Sequence, residues 1–97
     1  MYVQVARYTL GKGSAEELVP KINEGNLPVM RGVSGFVDHY ALRLADDEVA
    51  SVAVFRDRSG VEEAHNQLAS WVERTVEEFD ITPGEVIEGE VLATTRD

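Results

Sequence analysis

The chain contains no cysteine, which excludes disulfides, thiolate metal sites and cysteine nucleophiles. Positive charge is scarce: 9 Lys and Arg stand against 18 Asp and Glu, a formal charge of −9. Such a surface repels phosphate backbones, so nucleic acid is not an expected partner. Long apolar runs are missing too. The longest, Val49 to Phe55, is broken by Ser51 and has the length of a strand. A spanning helix needs about 20 apolar residues, so no membrane role is expected. No basic segment followed by an apolar one stands at the N-terminus, so no signal peptide is read and the expected location is cytoplasmic. Gly11-Lys12-Gly13 lacks the length and the Ser/Thr of a phosphate loop, and no serine sits in a nucleophile elbow.

What remains is 97 residues, 43% of them hydrophobic, enough for one core. The expectation is a single domain over residues 1–97. Tyr2 to Tyr8 is rich in aromatic and β-branched residues and reads as a strand. After the Gly11–Gly13 break, Ser14 and Glu17 have capping-box spacing, and Leu18, Val19, Ile22, Val29 and Met30 give a rough helical stripe. Pro20 should kink that helix and Pro28 should kink or restart it. Phe36 to Leu44 and Val49 to Phe55 read as strands joined by a short polar turn, hence an antiparallel hairpin. Ser59 and Glu62 repeat the capping-box spacing. Val61, Ala64, Leu68, Trp71, Val72, Val76 and Phe79 then follow the 3.6 period. Thr82-Pro83-Gly84 reads as a break, and Glu85 to Thr94 as the last strand.

The order β-α-β-β-α-β implies an α+β, ferredoxin-like domain: a four-stranded antiparallel sheet with two helices on one face. The third strand does not alternate apolar with polar, so both its sides should be covered. Helices cover one side, and a second copy of the chain is the economical cover for the other.

His39 is the titratable group of most chemical interest. Its ordinary pKa lies near 6.5, suited to deprotonating or orienting a phenol. The competing reading is a half-buried histidine at the dimer face. Asp38 and Tyr40 should point to the opposite side of the strand from His39. Strict alternation would put Phe36, Asp38, Tyr40 and Leu42 together. Trp71 is either a core tryptophan or a flat wall against an aromatic ligand, with its indole N–H as a donor. Tyr8, Tyr40, Phe36 and Phe55 either line that cavity or fill the sheet faces. With only His39 and His65 as imidazoles and no helical pair of ligands, no metal is expected.

The Tyr2–Tyr8 strand, Gly35-Phe36-Val37-Asp38-His39-Tyr40, Ser51-Val52-Ala53-Val54-Phe55-Arg56-Asp57, Glu62-Glu63-Ala64-His65-Asn66, Ala69-Ser70-Trp71-Val72 and Gly89-Glu90-Val91 together carry a resemblance. The chain resembles the antibiotic-biosynthesis-monooxygenase-like family of the dimeric α/β-barrel superfamily, over nearly its whole length. The resemblance implies a homodimer pairing as a dimeric α/β barrel, with a pocket in each subunit between sheet and helices. It implies cofactor-free oxygenation of an aromatic or quinol molecule, held by Asn66, Trp71, Tyr40 and Tyr8. Asn66 and Trp71 are five residues apart, about 140° on a regular helix, and do not face one small pocket together. The alternative it implies is a dimer that binds a small molecule, or merely interacts, without catalysis.

Overall fold

The computed structural model describes residues 1–96. Strands β1 (Tyr2–Leu10), β2 (Phe36–Ala45), β3 (Glu48–Phe55) and β4 (Ile81–Glu90) form one antiparallel sheet in the order β2-β3-β1-β4. The first helical layer is α1 (Ala15–Lys21), a π-turn (Ile22–Asn26) and α2 (Leu27–Arg31); the second is α3 (Arg58–Phe79). This is the ferredoxin-like α+β fold. Among the described residues, no helix is long and apolar enough to cross a membrane.

The two prolines break the first helix between them rather than at either one. Leu27 N–H reaches back five residues to the Ile22 carbonyl, which opens the helix by one residue. Pro28 follows at the start of α2, where its missing N–H and its ring are accommodated by the widened turn. Ser14 caps α1 as its spacing predicts, its side chain accepting from Glu17 N–H. For α3 the cap is Asp57 rather than Ser59: the Asp57 carboxylate accepts from Ser59 N–H at 3.0 Å, and Ser59 lies within the helix. The Ser59 hydroxyl adds a hydrogen bond that helps hold the Asp57 carboxyl below its ordinary range.

Two irregularities set which side chains share a face. Phe36 pairs with Phe55 but Asp38 pairs with Val54, so Val37 is a bulge residue and the alternation slips by one. Phe36 therefore lies on the helix side with His39, while Asp38 and Tyr40 lie on the outer side, contrary to strict alternation. In β4, Thr82-Pro83-Gly84 belongs to the strand rather than ending the segment before it. Gly84 and Glu85 bulge opposite Arg7, and β4 is an edge strand, where a proline costs no ladder bond.

Toward the helices, the register stacks His39, Ala53, Gln4 and Glu88 in one row across the sheet, and Ala41, Ser51, Ala6 and Val86 in the next. Away from them, Tyr40, Val52, Val5 and Ile87 form an apolar row across all four strands, with Tyr40 53% and Ile87 57% exposed. The segment after β4 runs from edge to edge of the sheet: Val91 N–H donates to the Met1 carbonyl, and Arg96 pairs with Asp38 at 2.6 Å.

Candidate functional site

The core is not continuous. One cluster gathers Met30, Val33, Phe55, Val61, Ala64 and Leu68; a second gathers Leu10, Ala15, Leu18, Val49 and Phe79. Between sheet and helices, bordered by both, lies a cavity of about 740 Å³ with a largely apolar lining. Its volume follows from small side chains. Ala41, Ser51 and Ala53 floor it on the sheet, and Ala64 and Ala69 leave room on α3. That size matches a drug-sized or multi-ring ligand.

Of the residues singled out from the sequence, Tyr8, His39, Phe55 and Trp71 line this cavity. Phe36, Tyr40 and Asn66 do not. Phe36 packs edge-on against Phe55 with ring centres 6.2 Å apart, beside it on the same sheet face. Tyr40 is on the outer sheet face, opposite its neighbour His39 as alternation requires. Asn66 is exposed on α3, and its neighbour His65 reaches the cavity instead. The fold thus separates Asn66 from Trp71, as their spacing on a regular helix requires.

Trp71 is fixed from two sides. Its indole N–H donates to the Lys21 carbonyl at 3.2 Å, in the turn where the helix widens. Beneath it sits Gly25, where a Cβ would come within 2.3 Å of the indole ring. One turn on, the Thr75 hydroxyl donates to the Trp71 carbonyl at 2.7 Å. The indole therefore presents a wall, and its N–H is already engaged within the protein.

His39 is half-buried on the sheet side, and desolvation holds its imidazole below the ordinary value of 6.5. At neutral pH it is uncharged and can accept a proton. Tyr8 is pushed above its ordinary value by burial, offset in part by a hydrogen bond with Ser51, so it stays a neutral phenol. Beside Gln4, which lines the cavity, Glu88 accepts from Tyr2 Oη at 2.7 Å and from Gln4 Nε2 at 2.9 Å; these bonds hold its carboxyl below the usual range. Among the described residues no three His, Asp or Glu side chains gather as a metal site would require.

Asn26 was not singled out from the sequence, yet it lines the cavity and is buried. The signal was present. Leu18, Ile22, Asn26 and Met30 recur every four residues, and all four line the cavity, so Asn26 is the polar member of an otherwise apolar stripe.

No protein-family model matches the chain, and no curated protein matches it. Solved structures do. SnoaB from Streptomyces nogalater, a cofactor-independent oxygenase, aligns at a TM-score of 0.75 and 21% identity over 99% of this chain and 97% of its own. A dimeric ferredoxin-like protein from an uncultured marine organism aligns at 0.77 and 8% identity, covering 100% of both chains. A candidate antibiotic biosynthesis monooxygenase from Chloroflexus aurantiacus aligns at 0.75 and 11% identity, over 98% of this chain and 96% of that one. The chain has the fold of the monooxygenase-like, ferredoxin-like proteins. The likeness spans whole chains on both sides, so it concerns the entire domain rather than a shared motif. At these identities it is a statement about architecture, and the chemistry rests on the cavity.

Proposed function

We propose that the cavity binds a planar aromatic molecule bearing a hydroxyl and that the protein oxygenates it without a cofactor. The observation that carries this is the partly open, largely apolar space with Trp71 as a flat wall and the neutral imidazole of His39 on the opposite, sheet side. The likeness to SnoaB supports the reaction type by analogy. His39 takes the phenolic proton, and the electron-rich phenolate reacts with dioxygen at a ring carbon. One oxygen atom stays as a quinone carbonyl. The other leaves as water with the two hydrogens removed from the phenol. The substrate supplies all four electrons, so no external reductant is needed.

The outer row Tyr40, Val52, Val5 and Ile87 supports a homodimer, since a second copy would cover it. Oxygen uptake with a panel of phenols and quinols tests the enzyme reading. Turnover lost in His39→Ala and reduced in Trp71→Phe supports it; no uptake across the panel overturns it.

A non-catalytic binding protein is the second reading. One observation favours it: the Trp71 N–H and the Thr75 hydroxyl are bonded internally, leaving His39 and Tyr8, both neutral, as the shifted titratable groups that line the cavity. It predicts aromatic binding that survives His39→Ala.

A further inference from the structure

Asn26 is 9% exposed, and its Oδ1 is sealed from solvent without a hydrogen-bond partner. Among the described residues it is the one buried side-chain polar atom in that condition. A buried amide oxygen left unpaired is costly, and leucine at this place would complete the apolar stripe at no such cost. The residue is also held in place. Its neighbour Gly25 fits under the Trp71 indole, and the π-turn that presents Asn26 is clamped by the bond from the Trp71 N–H to Lys21. Asn26 follows Gly25 directly in the chain, and Asn26 and Trp71 line the same cavity. π-turns within helices recur at functional sites.

We infer that Asn26 is the cavity's polar anchor on its helix side, where its carboxamide hydrogen-bonds a hydroxyl of the aromatic ligand. The inference rests on the reading of the cavity as an aromatic-ligand site and sharpens it. His39 comes from the sheet and Asn26 from the helical layer, so they meet different edges of a ring lying against Trp71. The ligand class is therefore an arene with two oxygen substituents, one for each layer. A hydroxyl suits the amide because it both donates and accepts. As placed the oxygen is turned away from the open space, and a half-turn about the Asn26 Cβ–Cγ bond exchanges it with the NH2 and brings it to the ligand hydroxyl.

Calorimetric titration with 1-naphthol and 1,5-dihydroxynaphthalene tests this, because the two share a ring system and differ by one hydroxyl. Wild-type protein is expected to bind the diol about five- to tenfold more tightly, the worth of one neutral hydrogen bond. In Asn26→Leu that gain disappears and 1-naphthol binding is little changed. Asn26→Ala, which adds no bulk, gives the same pattern. If the second hydroxyl keeps its gain in both variants, or both ligands weaken equally, Asn26 is not the anchor, and the cavity reading stands. If wild-type protein binds neither compound, the cavity reading falls and the anchor with it.

Discussion

The indole N–H of Trp71 donates to the carbonyl oxygen of Lys21, 3.2 Å away, tying α3 to the point where the first helix widens. The helical segments, which also pack through Met30 against Ala64 and Leu68, are joined there by a side chain that forms a wall of the cavity. The wall and the π-turn therefore stand or fall together.

Gly25→Ala tests that dependence. The added methyl would come within 2.3 Å of two indole atoms, so the ring must move or the turn must shift. Overpacking of this kind costs about 1–3 kcal/mol. Urea unfolding monitored by tryptophan emission should show the lower midpoint. The emission maximum of the folded protein should also move to the red as the single tryptophan loosens, and aromatic ligands should bind less tightly.

The depressed pKa of His39 gives a pH dependence with a definite sign. Above pH 6.5 the residue is neutral folded and unfolded, and its burial is without electrostatic cost. As pH falls below 6.5, the unfolded chain takes the proton first, so stability declines until the depressed folded value has been passed, and then levels off. The difference between wild type and His39→Gln in unfolding free energy should shrink or reverse between pH 7.5 and pH 5. A constant difference across that range would mean that His39 does not titrate there.

The outer row predicts the effect of charge on assembly. Tyr40→Glu with Ile87→Lys alters two exposed positions, so folding should be kept while the pairing face is spoiled. Light scattering should report a dimer for the wild-type chain and a monomer for the double variant. A monomer in both would remove the dimer.

Asp80 ends α3 in the left-handed conformation, at φ 50°. A side chain there is strained by about 1 kcal/mol, and its charge opposes the helix dipole. Its C-terminal position is otherwise well served: Gly11 and Lys12 N–H both donate to the Phe79 carbonyl. Asp80→Gly should raise the melting temperature by about 4–8 °C, readable by calorimetry.

The elements and their order were legible because each carries its own period: alternating strands, and a helix in which Val61, Ala64, Leu68 and Phe79 recur on one face. Trp71, Tyr8, Phe55 and His39 were legible as residue types that a cavity would use. What escaped is phase. Val37 as a bulge residue puts Phe36 on the same side as His39, and the π-turn holds the helix one residue out of its regular winding. Each is a slip of one residue, decided by pairing with distant segments rather than by local preference. The same holds for Pro83, which reads as a terminator by itself and is accepted in the strand only because β4 lies at the sheet edge. Asp57 was overlooked as a cap because Ser59, two residues on, offers the more familiar spacing.

The widened turn has a consequence for how this protein can change over generations. It exists because the helix holds one residue more than a regular spiral would. Loss of a single codon between Lys21 and Asn26 would let the helix close. It would turn the following residues by about 100° and withdraw the amide from the cavity, with no substitution at Asn26 at all. Preference for one ligand over another can thus be gained or lost here by a change of length, a step that comparisons of aligned residue identities would pass over.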